Sequence, residues 1–138
     1  MAILLDTGIV YAYYDASDRW HRASAALLAR EAGGLLIPGP VVPEVDHLLG
    51  ARLGREARWT FYRGLVEAAY LVIDLPQEAV AGLEEVDRRF ADLELGFVDC
   101  AVAVLAETRG IRRIATADRR HFEPLARAFG WELLPAPP

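Results

Sequence analysis

The chain has 138 residues, 54% of them apolar and 25% charged, which gives one globular domain with a buried core and excludes a disordered chain. Its formal net charge of -5 makes it a poor generic binder of phosphate backbones, but does not exclude a nuclease whose acidic site fills with metal. All 15 lysine-or-arginine positions are arginine, and the single cysteine, Cys100, permits no intramolecular disulfide and fits a reducing compartment.

The first apolar run, Ala2–Leu5, stops at Asp6, too short for a signal peptide. No apolar run reaches the ~18 residues of a membrane span, so a cytoplasmic protein is expected. Ile3-Leu4-Leu5 reads as a strand ended by Asp6, and Asp6-Thr7-Gly8 turns into a helix carrying Val10, Tyr11 and Tyr14. Asp6 is either the N-cap of that helix or a ligand. After the polar turn Asp15–Asp18, Trp20, Ala23, Ser24, Leu27 and Leu28 give a second helix its buried stripe, which Gly33-Gly34 ends. Leu35-Leu36-Ile37 is the next strand. Pro43 then fits an early helical position, with Glu44 beside it as a first-turn acid or a ligand, and Val45, Leu48, Leu49 and Leu53 on the apolar face.

Glu56 to Tyr70 reads as a helix, Leu71-Val72-Ile73 as a third strand, and Glu78 to Phe90 as a further helix with Asp87 at its exposed edge. Val98, Ala101, Val102, Leu105 and Ala106 fall at the spacing of one buried helical face, and Gly110 follows as a C-cap. Ile111 to Ala117 is a mostly apolar strand that ends at Asp118. His121 to Phe129 makes a short helix, Trp131–Leu134 an edge strand, and residues 135–138 a Pro-rich tail with no reason to order. Strands alternate with helices throughout, which predicts an α/β fold with a mostly parallel sheet between helix layers.

Carboxyl ends of parallel strands and the helix starts beside them share the edge where ligands bind. Asp6 and Asp118 end strands, while Asp99 and Glu44 begin helices, so four acids map to that edge. Two carboxylates 4 Å apart repel by about 4 kcal/mol at an effective dielectric near 20, and a divalent cation is the usual partner that offsets this. Hard oxygen donors select magnesium or manganese, and no histidine or cysteine lies at zinc spacing. His21, His47 and His121 are read as polar structural residues, and Cys100 as an inert helix position.

Leu4-Leu5-Asp6-Thr7, Pro43-Glu44-Val45, Gly96-Phe97-Val98-Asp99-Cys100-Ala101 and Ala115-Thr116-Ala117-Asp118-Arg119-Arg120-His121-Phe122 together resemble the blocks of PIN-domain ribonucleases, and most of all the VapC toxins of bacterial toxin–antitoxin pairs. The resemblance covers essentially the whole chain. It implies a three-layer α/β/α fold with a four- or five-stranded sheet over residues 1–134, and it makes Asp6, Glu44, Asp99 and Asp118 a Mg2+- or Mn2+-binding quartet that cuts RNA. By the same likeness Thr116, Thr7 and Asp92 are auxiliary candidates. Arg119 and Arg120, just past Asp118, are candidates to hold RNA phosphates. A cognate antitoxin and a homodimer are the expected partners, the dimer burying aromatic residues among Trp20, Trp59, Phe61 and Tyr62.

Two other classes compete. Phosphoryl-transfer α/β domains also put an acid after the first strand, but they normally require a lysine, and this chain has none. A PIN-like module kept only for binding would have no use for four converging carboxylates, and metal titration separates it from an enzyme.

Overall fold

The computed structural model describes residues 1–67 and 69–138. The strands are β1 (Ile3–Leu5), β2 (Leu35–Pro38), β3 (Leu71–Ile73), β4 (Arg113–Ala115) and β5 (Glu132–Leu134). Between them run the helices α1 (Thr7–Tyr14), α2 (His21–Arg30), α3 (Val41–Arg52), α4 (Arg55–Val66), α5 (Ala81–Arg89), α6 (Phe97–Arg109) and α7 (Arg119–Phe129). The sheet has the order β3-β2-β1-β4-β5, and every pairing is parallel. Its middle strand, β1, is completely buried, with Leu4 set beside Leu36 of β2 and Ile114 of β4. The chain leaves β1 toward β2 on one side and later returns to place β4 on the other. The order therefore reverses between β1 and β4, and a crevice opens at their carboxyl ends.

Helix α6 is buried more fully than a single stripe requires. Cys100 through Ala106 are all buried, because α6 packs against both the sheet and α5. The α5 approach is close at Gly82, where a Cβ would stand 3.1 Å from Val104 Cγ2. At the other end of α6, Gly110 takes a left-handed φ of 66° and the Ile111 N–H returns to Ala106 O. Ile111 thus completes the helix end, and β4 begins two residues later than the apolar run suggests.

Other boundaries shift for similar local reasons. Helix α3 starts at Val41, ahead of Pro43, whose missing N–H still falls among the donors a first helical turn leaves unpaired. The helix expected from Glu56 to Tyr70 ends at Val66, and of that stretch Ala68 lies outside the described residues. The one expected from Glu78 to Phe90 divides into a 3-10 turn, Gln77–Ala79, and α5. The tail is a correction: Pro135 is buried, and its carbonyl accepts a hydrogen bond from Arg119 Nη2. Trp20 and Phe61 also correct an expectation, since both lie in the core of this single chain and are not spare for an interface. Among the described residues, no helix is long and apolar enough to cross a membrane.

Candidate metal centre

The crevice at the switch in strand order collects its acids through backbone geometry. Asp6 follows β1 directly, and its N–H pairs with Ala115 O at the end of β4, 2.9 Å away. It occupies the N-cap position of α1, yet its side chain makes no capping hydrogen bond. The buried carboxylate instead accepts from Thr116 Oγ1 at 2.9 Å. That same Thr116 oxygen accepts the N–H of Asp118, also at 2.9 Å, so one hydroxyl ties the first acid to the fourth.

Asp118 is the cap that Asp6 is not. Its Oδ1 accepts the His121 N–H at 3.1 Å and fixes the first turn of α7. Asp99 lies in the first turn of α6, where its Oδ2 accepts the Gly96 N–H at 3.3 Å. Glu44 reaches in from the first turn of α3, and its Oε1 accepts from Thr7 Oγ1 at 2.6 Å. Thr7 therefore bonds Glu44 and Thr116 bonds both Asp6 and Asp118, whereas Asp92 is exposed in the turn Ala91–Leu93.

The tightest group is Asp99, Asp118 and His121, whose ligand atoms lie within 4.8 Å of one another. His121 Nδ1 stands 2.8 Å from Asp118 Oδ2 and 3.4 Å from Asp99 Oδ2. Asp6 and Glu44 border this trio. His121 is the residue that the sequence reading assigned to structure alone. The signal was Asp118-x-x-His121 across a helix start, a spacing that turns the third side chain of the helix back toward its cap.

Electrostatics mark the crevice as a place short of positive charge. Burial first, and then the Asp99 charge, push the Asp6 carboxyl up to about 7, with Asp118 adding to the rise. The Thr7 N–H and the Thr116 hydroxyl favour its ionised form and only partly offset this. Asp99 is raised mainly by burial, with Asp118 and Glu44 adding to it while the Gly96 N–H and His121 oppose it. Among the described residues no arginine forms an ion pair with Asp6, Glu44, Asp99 or Asp118; His121 is the sole basic partner. Carboxylate oxygens that converge without a counter-charge fit a divalent cation, with oxygen donors of the kind magnesium and manganese take.

The two arginines after Asp118 part company. Arg119 turns away to Pro135 and lies over the Trp20 ring, 5.5 Å from its centroid, where burial lowers its pKa. Arg120 is exposed at the start of α7.

The PIN domain family model matches residues 3–128. The chain belongs to the PIN-domain family. Its relatives within that family include ribonuclease VapC26 of Mycobacterium tuberculosis, 30% identical over 123 residues, which span 89% of this chain and 91% of that protein. Among solved PIN-like structures, the M. tuberculosis toxin VapC20, which cleaves the sarcin-ricin loop, superposes with a TM-score of 0.81 at 20% identity over 89% of this chain and 95% of that one. The DNA-bound VapBC complex of Salmonella typhimurium gives a TM-score of 0.70 at 18% identity, covering 97% of each chain. At such identities the last two likenesses speak for the shared PIN fold alone.

Proposed function

We propose that this protein is a divalent-metal-dependent endoribonuclease that acts in the cytoplasm as the toxin of a type II toxin–antitoxin pair. The observation that carries this reading is the convergence of Asp6, Asp99 and Asp118 on one crevice where, among the described residues, no arginine pairs with them. Membership in the PIN family and the kinship to a VapC ribonuclease support RNA as the substrate and an antitoxin as the partner.

In this reading Asp6, Asp99 and Asp118 hold Mg2+ or Mn2+, with Glu44 as the fourth ligand of the quartet. When bound, the metal supplies an activated water and neutralises phosphate charge. The chain's own groups set the geometry. Thr116 holds Asp6 and Asp118 in fixed relation through one hydroxyl, and Thr7 holds Glu44 against the start of α1. Arg120, exposed one turn from the crevice, takes a flanking phosphate of the RNA. Arg119 serves the fold. Asp92 is left without a part in the site. A PIN-like processing nuclease without an antitoxin, or a module that binds without cutting, are the competing readings.

The test is cleavage of single-stranded or looped RNA with Mg2+ or Mn2+ present. Cleavage should stop in excess EDTA. Loss of groups that merely orient a metal ligand costs 10- to 100-fold, so Asp99→Asn, which alters a ligand, should lower the rate by roughly a hundredfold or more. Full activity in EDTA would refute the reading.

A further inference from the structure

We propose that His121 is a nitrogen ligand of the cation in this site and sets its preference for Mn2+ over Mg2+. This rests on the metal-nuclease reading above and adds to it a residue outside the acidic quartet.

The argument begins with spacing. Neighbouring ligands of a six-coordinate ion with bonds of about 2.1 Å stand about 3 Å apart, and opposite ones about 4.2 Å. His121 Nδ1 lies 2.8 Å from Asp118 Oδ2 and 3.4 Å from Asp99 Oδ2, and a ligand atom from each of the three residues lies within 4.8 Å of the other two. An ordinary helix-start pair accounts for the Asp118 contact, because the two residues are three apart on α7. It does not account for Asp99, which arrives from α6. A ring that meets two carboxylates from two different helices sits where a shared ligand sits.

The ring is also held in place. Its own backbone N–H is bonded to Asp118 Oδ1, and its side chain is only 21% exposed. Facing two carboxylate acceptors, Nδ1 carries the imidazole proton and donates to Asp118 Oδ2. As a ligand, Nδ1 presents its lone pair instead, and the proton resides on Nε2.

The donor type then decides selectivity. Mg2+ takes oxygen ligands, keeps several waters and dehydrates reluctantly. Imidazole nitrogen suits iron, nickel, copper and zinc most, and Mn2+, at the weak end of that first-row series, still accepts it more readily than Mg2+. One nitrogen among carboxylates therefore raises affinity for Mn2+, and for later ions of that row, relative to Mg2+. The other two histidines are placed elsewhere: His21 Nδ1 lies 2.8 Å from Ala12 O, and His47 is exposed on α3.

Pulsed electron paramagnetic resonance of the Mn2+-loaded full chain reads nitrogen ligation directly. Wild type should show 14N modulation from a coordinated imidazole, His121→Gln should lose it, and His47→Gln should keep it. Calorimetry should find Mn2+ affinity lowered about tenfold or more in His121→Gln, the scale of losses seen when a metal ligand is disturbed, with Mg2+ affinity changed less than about threefold. Bound Mn2+ without nitrogen modulation in the wild type would overturn the inference and leave the nuclease reading standing. So would modulation that survives in His121→Gln, or a parallel fall in both affinities. A wild-type chain that binds no Mn2+ at all would overturn both.

Discussion

Burial and the neighbouring carboxylates push Asp6 up to about 7 in the fold, against 3.8 for an ordinary aspartate. Between those values the metal-free folded protein holds a proton that the unfolded chain has lost. The contribution of protonated Asp6 to stability is therefore fully present below about pH 4 and is lost as pH rises through about 7. The raised Asp99 works in the same direction. A rise from 3.8 to about 7 corresponds to about 4 kcal/mol once Asp6 is fully ionised, an upper bound because local relaxation around a buried charge reduces the cost. Asp6→Asn keeps the shape and the acceptor for Thr116 while removing the charge. In EDTA, urea denaturation should find Asp6→Asn more stable than wild type by up to about 4 kcal/mol at pH 8, with the difference shrinking toward zero near pH 4. A difference that does not vary with pH would show that Asp6 is not held against its charge. The same variant should lose cleavage, so stability and activity move in opposite directions at one position.

Helix α7 shows how a short element serves both fold and site. Its cap, Asp118, faces the crevice, while Arg119 one residue later points the other way, to Trp20 and the Pro135 carbonyl. A guanidinium over an aromatic ring contributes about 0.5–2 kcal/mol, and a hydrogen bond to a carbonyl about as much. Arg119→Ala should therefore lower stability by about 1–3 kcal/mol in urea denaturation, whereas Arg120→Ala should leave stability within about 0.5 kcal/mol and raise KM for RNA. Equal effects of the two substitutions on stability would refute this division. The division was not legible in the sequence, where both arginines simply follow an acid. The parallel sheet was legible, because apolar runs ending in Asp6 or Pro38 and helical stripes such as that of α6 are period signals. So was the placement of Asp6 and Asp118 after strands and of Glu44 and Asp99 in first helical turns, because strand ends and helix starts follow from those periods. The approach of His121 to Asp99 was not, since it depends on α6 and α7 meeting in space. The fate of Pro135 was hidden for the same reason: what orders it is a side chain 16 residues away.

Large apolar side chains remain exposed on α4, at Trp59 and Val66, and on the β3 edge, at Leu71 and Val72, which are 48%, 84%, 62% and 43% exposed. With Trp20 and Phe61 committed to the core, Trp59 and Tyr62 are the expected aromatic residues still exposed on α4 and available to a second copy. Light scattering should find a dimer at micromolar concentration, and Trp59→Glu should shift it toward monomer; a wild type that stays monomeric would refute the pairing. The antitoxin is expected at a different place, over the crevice, where charge rather than apolar area sets the terms. A chain of net charge -5 with uncompensated carboxylates at one edge favours a basic peptide there. An arginine of that peptide between Asp99 and Asp118 would supply the charge that a divalent ion otherwise brings, through paired N–H···O bonds. The two occupants then compete for the same oxygens. By linkage, whatever factor the peptide takes from Mn2+ affinity, Mn2+ takes from peptide affinity. A basic antitoxin tail should accordingly weaken Mn2+ binding about tenfold or more when saturating, and its own affinity should fall by the same factor when Mn2+ is added. Replacing the tail's arginines with glutamine should abolish both effects. Titration of each ligand in the presence of the other measures them, and two affinities that prove independent would refute inhibition at the acids.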